Sequence, residues 1–320
     1  VLDAQTGAVI RELVTPKTAS GVSGNIVSYG LSSPVIGNYD NDQIDDVAFA
    51  GDLNGNLWRF DFGNSDPTKW SVSLAFYSSD QGKRPITVMP RLFPDPTSSN
   101  FIVVFGTGKY LGGTDNTIDS NTSVQNIYGI RDGGPGSTTS VIEGTTPLVE
   151  QTMQQVGNAR GITQKPVPAV DSSNKAIGGW FLKLFTGTST QTNKGERVVL
   201  DATALFDSGR AIITTLLPGN VDPCAPVRKG AILVIDAATG GAANGVSAGS
   251  ATFGTGYAAA GALVNNVGIT GGAAVGTAQG GGKLVVPGVL SVDPKNPDPF
   301  NIGDAVWRRR VVGAVRVADD

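Results

Sequence analysis

GNYDNDQIDDVAFAGDLNGNLWRFDF, residues 37–62, decides the reading of this chain. An oxygen-rich loop runs straight into two strand-like segments joined by Asn54-Gly55, the strongest short signal for a β-hairpin. The hairpin expected here sets residues 47–52 against 57–62. On its second strand Trp58, Phe60 and Phe62 share one face and Arg59 and Asp61 the other, the two-residue period of a half-buried strand.

The loop before the hairpin carries side-chain oxygens at Asn38, Asp40, Asp42 and Asp46, positions 1, 3, 5 and 9, with the Ile44 carbonyl at position 7. Alternation of this kind turns every second residue inward, so these groups are candidates to converge on one hard cation. Calcium takes about six to eight oxygens at roughly 2.4 Å, a number reached with Asp46 bidentate and a water. Magnesium fits less well because it gives up its waters reluctantly. An EF-hand does not fit: Gln43 stands where that loop needs Gly, Phe49 where it needs a bidentate Glu, and a strand follows instead of a helix. The competing reading is an Asp/Asn-rich turn that caps a hairpin without metal. Four oxygens at this spacing favour the metal.

Composition points the same way. The 320 residues include 44 Gly and 18 Pro, and 23 of the 27 acidic residues are Asp, which favours turns over helices. The fold class expected is all-β. A net charge of −3 with scattered Lys and Arg gives no basic stripe for nucleic acid. No run of eighteen apolar residues reads as a membrane helix. Val1 opens inside a strand-like pattern with no signal peptide, so the chain reads as cut from something longer. With no His in the sequence, Ser-His-Asp triads, Cys-His pairs and His-ligated metals are excluded. Cys224 is the single cysteine and has no disulfide partner within the chain.

A weak internal repeat runs along the sequence: VLDAQTG from Val1, LWRFDFG from Leu57, IYGIRDG from Ile127, WFLKLFTG from Trp180 and LVIDAATG from Leu233. Each is a short strand ending in a polar turn. Their spacing exceeds the ~40–45 residues of a compact propeller blade and suits blades carrying loop insertions. About four or five blade-like sheets are expected, stacked around an axis because a hairpin cannot bury its own apolar face. Residues 237–282 hold 27 Gly or Ala among 46 residues and no charge, which reads as an insertion: a long loop or a loosely held blade. The glycines at 254 and 256, and those in Gly106-Thr107-Gly108-Lys109, lack the context of nucleotide-binding motifs and read as turn residues.

These residues resemble the C-terminal β-propeller of the PilY family of type IV pilus tip adhesins and biogenesis factors. The resemblance spans nearly the whole chain, through VLDAQTGAVIREL, the block from Leu31 to Phe62, RPITVMP from Arg84, VVFGTGKYLGG from Val103, NIYGIRD from Asn126, GWFLKL from Gly179, the block from Gly195 to Cys224, and VWRRR from Val306. It implies a modified or partial propeller of four-stranded antiparallel blades with long loop insertions, forming one domain over 1–320. It further implies a calcium site on Asn38, Asp40, Asp42, the Ile44 carbonyl and Asp46, linked to pilus extension and retraction and to surface attachment. Asn38 and Gln43 depart from the family's usual Asp and Gly, and the lost charge implies a weaker site. No Arg-Gly-Asp triplet is present.

The reading is therefore a non-enzymatic, calcium-binding pilus module. Its partners are minor pilins at the pilus tip and a surface ligand, and its place is the cell surface of a Gram-negative bacterium. One rival is a quinoprotein-like dehydrogenase, whose repeats also carry DAxTG turns but whose vicinal disulfide Cys224 alone cannot form. Another is a glycan-binding propeller using Trp58, Trp70, Trp180 and Trp307, although aromatics at strand positions more often fill a core.

Overall fold

The computed structural model describes residues 1–116, 123–185, 195–219, 229–247, 249–265, 274–278 and 281–285. Cys224 and the Trp307 to Arg310 cluster lie outside them. Eighteen strands follow one another along these residues. They begin with β1 (Val35–Gly37), β2 (Val47–Gly51), β3 (Leu57–Asp61), β4 (Ser71–Tyr77), β5 (Arg91–Pro94), β6 (Phe101–Gly106) and β7 (Asn126–Arg131). Next come β8 (Val141–Ile142), β9 (Val149–Gln151), β10 (Met153–Val156), β11 (Ala159–Thr163) and β12 (Gly179–Lys183). The last are β13 (Thr203–Leu205), β14 (Arg210–Thr214), β15 (Lys229–Asp236), β16 (Tyr257–Asn265), β17 (Ala274–Ala278) and β18 (Gly281–Val285). Among the described residues helix is confined to three short 3-10 turns.

The expected hairpin is present, with Ala50 opposite Trp58 and Gly51 opposite Leu57. Its turn is built on buried Asp52, whose Oδ1 accepts from the Asn54 and Asn56 amides and whose Oδ2 accepts from Trp58 Nε1 at 2.8 Å. Gly55 supplies the left-handed residue with φ 93°.

Three large sheets form. The first has the order β1-β2-β3-β4-β8, the second β5-β6-β7-β12-β9 and the third β10-β11-β16-β15-β14-β13. In the first two, four antiparallel strands match the expected blade and a fifth is added in parallel, β8 on β4 and β9 on β12. Residues 141–151 supply both additions, and no hairpin turn marks such a strand in sequence. The repeat count expected from sequence also resolves differently: among the described residues there are three large sheets and a two-stranded ribbon, β17-β18, and they close no ring. Two of the five repeats, in β7 and β12, are neighbours within one sheet, Ile127 facing Leu182, so they do not head separate blades.

Residues 237–282, expected as a long loop or a loosely held blade, include a regular strand among their described residues. They contribute β16, a nine-residue strand lying between β11 and β15. Small residues are required there, since a Cβ on Gly261 would stand 1.9 Å from the Ile232 carbonyl oxygen, and Ala260 is buried. Absence of bulky side chains is here a close-packing device.

The second sheet is buried on both faces. Val103, Phe105, Tyr128 and Ile130 pack toward Val47, Phe49, Leu57 and Phe76 of the first sheet. Ile102, Val104, Ile127, Trp180 and Leu182 pack toward Ile162, Ile213, Leu233 and Ile235 of the third. Trp58 and Leu74 fill the outer face of the first sheet beneath Ile26. Trp58 and Trp180 are thus fully buried core residues and offer no stacking face to a sugar.

Candidate metal centre

Loop residues 38–46 join β1 to β2 and are wound by their own side chains. Asn38 Oδ1 accepts from the Asp40 amide at 3.1 Å and the Asn41 amide at 2.5 Å. Asp40 Oδ1 accepts from the Asp42 amide at 3.1 Å, and Asp42 Oδ1 from the Ile44 amide at 2.8 Å. Asp46 Oδ2 closes the loop by accepting from the Tyr39 amide at 2.7 Å. Asn41 and Gln43 take left-handed backbone conformations, φ 61° and 75°, so Gln43 makes the turn with a side chain where Gly is the unstrained residue.

These bonds leave a defined set of oxygens. Asp40 Oδ2, Asp42 Oδ2, Asp46 Oδ1 and the Ile44 carbonyl accept none of the hydrogen bonds among the described residues. Asn38 differs: its one oxygen is already shared by two amides, and its Nδ2 faces Asp42 Oδ1 at 3.4 Å. The donor chemistry fits a hard, oxygen-seeking cation. Asn38 contributes as the cap that winds the loop, and an aspartate in its place would present a second oxygen where Nδ2 now stands. Among the described residues no three acidic, Cys or His side chains are gathered at metal-holding distance. The carboxylates of Asp40 and Asp42 lie exposed on the loop while Asp46 is half-buried at its base.

The residue that sequence reasoning missed is Tyr39, which points away from the exposed carboxylates. Its ring stacks on Phe101 at 5.0 Å and its hydroxyl donates to Asp132 Oδ2. Arg59 Nη2 donates to the same hydroxyl at 3.2 Å. Burial, then the hydrogen bond to Asp132, raises the Tyr39 pKa, so the phenol stays a donor at neutral pH. Arg59 itself is 3% exposed, and it pairs with Asp61 at 3.1 Å and Asp132 at 3.3 Å. The face expected to be half-exposed therefore meets the second sheet, which a buried guanidinium tolerates because carboxylates and carbonyls surround it.

A second polar cluster clasps the two sheets near the Asn54-Gly55 turn. Arg84 Nη1 pairs with Glu143 Oε1 at 2.8 Å, and the Tyr128 hydroxyl donates to the same oxygen at 2.6 Å. Burial alone would raise the Glu143 pKa, but Tyr128, Arg84 and Ser79 outweigh it and hold the carboxyl below its ordinary range.

A cleft of about 580 Å³ opens beside the loop, with Asn38 and Phe101 in its wall. The edge strands β1, β5 and β13 of the three sheets border it.

Comparison with known proteins decides the family. Residues 1–164 match the family described as the PilY1 beta-propeller domain, just over half of the 320-residue chain. The chain belongs to the PilY1 β-propeller family. The type IV pilus biogenesis factor PilY1 of Pseudomonas aeruginosa PAO1 is 32% identical over 280 residues, covering 75% of this chain and 23% of that protein. A PilY1 homologue of Xylella fastidiosa is 29% identical over 267 residues, covering 77% of this chain and 17% of its own length. The crystal structure of the Pseudomonas aeruginosa PilY1 C-terminal domain superposes with a TM-score of 0.67 at 26% identity, over 90% of this chain and 64% of that one. The all-β propeller class is thus shared with PilY1. The chain spans about a quarter or less of the length of the curated PilY1 relatives it matches. No helix among the described residues is long and apolar enough to cross a membrane.

Proposed function

We propose that this chain is a non-enzymatic, calcium-binding propeller module of a type IV pilus tip adhesin or biogenesis protein. Its role is to support pilus extension and retraction, and with them twitching motility and surface attachment. Minor pilins at the pilus tip are its partners, and the extracellular face of the cell is its place. The observation that carries the reading is the wound loop of a PilY1-family chain, with spare oxygens on Asp40, Asp42 and Asp46 and a spare carbonyl on Ile44. Asn38 winds the loop that presents them.

Bound calcium would draw the Asp40, Asp42 and Asp46 carboxylates and the Ile44 carbonyl together and offset the repulsion that gathering creates, and its binding energy would add to the stability of the folded loop. Asp46 holds the Tyr39 amide, so closing the loop is a property of the chain's own hydrogen bonds. Extracellular sites of low ligand charge bind calcium with Kd of roughly 0.1–1 mM, and this site belongs in that range.

Calorimetric titration of the chain with calcium tests the reading. One equivalent binds the parent, binding is lost in Asp40→Ala and Asp46→Ala, and Asn38→Asp tightens it by roughly tenfold because one charge and one oxygen are added. Absence of binding up to several millimolar in the parent and in Asn38→Asp sinks the metal assignment.

A further inference from the structure

Three sheets bring their edges to one place. The cleft of about 580 Å³ is bordered by β1, β5 and β13, and each of these strands pairs on one side only. Gly37 lets β1 lie directly on the second sheet, since a Cβ there would stand 2.6 Å from Leu92 Cδ1 and 3.0 Å from Phe101 Cε2. Ile36 of the first sheet is 57% exposed and Phe206, next to β13, is 61% exposed, so two large apolar side chains meet solvent within one concavity. Arg91 is the one charged residue among those that line it. Its Nε donates to the Ala202 carbonyl at 2.6 Å, which fixes the guanidinium between the second and third sheets. Its Nη1 and Nη2 take part in no hydrogen bond or ion pair among the described residues. Arg59, Arg84, Arg131, Arg160 and Arg197, by contrast, each spend an Nη group on a protein oxygen. A half-buried guanidinium held at Nε and free at both Nη atoms is a fork that matches a carboxylate.

We propose that this cleft binds the C-terminal end of an extended, apolar peptide of a partner protein, with the terminal carboxylate on Arg91 and the last side chains against Ile36, Phe101 and Phe206. Charge complementarity selects an anion, and the walls select an apolar body. The edge strands select a peptide, because an edge presents unpaired N–H and C=O groups that a peptide backbone satisfies and a fatty or aromatic acid leaves idle. The volume falls within the roughly 300–1,000 Å³ of ligand sites. None of Asp40, Asp42 and Asp46 lines the cleft, so the proposal stands apart from the calcium reading.

Fluorescence anisotropy on the whole chain tests this with a fluorescein-labelled peptide of sequence Ser-Val-Thr-Val-Phe, made with a free C-terminal carboxylate and as its C-terminal amide. The acid binds saturably, and the amide binds at least about tenfold more weakly. Arg91→Met, which keeps an apolar stem, reduces the acid to the level of the amide. Phe206→Ser weakens acid and amide alike, by roughly tenfold, and leaves their ratio unchanged. Phe206 is exposed, so that variant and the acid–amide pair carry the test if circular dichroism shows Arg91→Met unfolded. Absence of saturable binding of the acid up to about 1 mM, equal binding of acid and amide, or an Arg91→Met variant that binds the acid as the parent does overturns the proposal. Hexanoate that displaces the peptide at equal concentration overturns it too, because the site then reads a small acid and not a chain end.

Discussion

The chain builds the same turn twice in opposite surroundings. In Asp3-Ala4-Gln5-Thr6-Gly7 the Gly7 amide donates to the Asp3 carbonyl at 2.8 Å, and in Asp236-Ala237-Ala238-Thr239-Gly240 the Gly240 amide does so to Asp236 at 2.8 Å. The glycines have φ of 71° and 70°, and each turn is backed by one bridge, Leu2 with Val9 and Ile235 with Ala242. Leu2 is 61% and Val9 69% exposed, whereas Ile235 is 0% and Ala242 3%. The second turn packs on Trp180, whose Nε1 donates to the Ala237 carbonyl at 3.0 Å. Turn geometry is therefore local, set by Asp, Thr and Gly, while stability is conferred by what covers the turn.

The sharpest way to break this comparison is to add one methyl group to each glycine. Gly240→Ala strains a left-handed residue and drives a Cβ to 2.1 Å from the Trp180 ring, for a loss of roughly 3–5 kcal/mol in urea unfolding. Gly7→Ala meets no atom within 4 Å and costs only the backbone strain, about 1 kcal/mol. Equal losses would show that the two environments do not differ in energy. Truncating the bridge residue is the next largest contrast: Ile235→Ala costs about 3 kcal/mol and Leu2→Ala under about 0.5 kcal/mol. The smallest effect is electrostatic. The Thr6 amide first, then the Thr6 hydroxyl and the Gln5 amide, hold the Asp3 carboxyl below its ordinary 3.8. A depressed pKa contributes stability above the unfolded value that is lost as pH falls through the folded one. An Asp3 midpoint at or above 3.8 by NMR titration would show that the turn is not formed in solution.

How far the fold could be read from sequence follows the same division. Asn54-Gly55, the Asp52 turn and the DAxTG turns are local, and their residue types declare them. Arg59 looked half-exposed because three of its partners, Asp132, Gly134 and Ser137, lie more than seventy residues away. The Gly/Ala run reads in sequence as a long loop or a loosely held blade because small residues carry no periodicity, although close approach of β15 and β16 demands them. The alternation of Asn38, Asp40, Asp42 and Asp46 reads in sequence as a ligand set, and the structure shows the same side chains winding the loop through its backbone amides. That Asn38 spends its oxygen on two amides, and that Tyr39 anchors the loop elsewhere, needed the third dimension.

Residues 141–163 place β8 in the first sheet, β9 in the second and β10 with β11 in the third, one after another. A thread sewn through three layers changes how the assembly yields. Tension drawing the first sheet away pulls on β8, and through a few connecting residues on β9 and then β10, so strain is handed along the series instead of opening one seam. A single proteolytic nick between Ile142 and Val149 cuts that stitch, and separates resistance to pulling from resistance to heat.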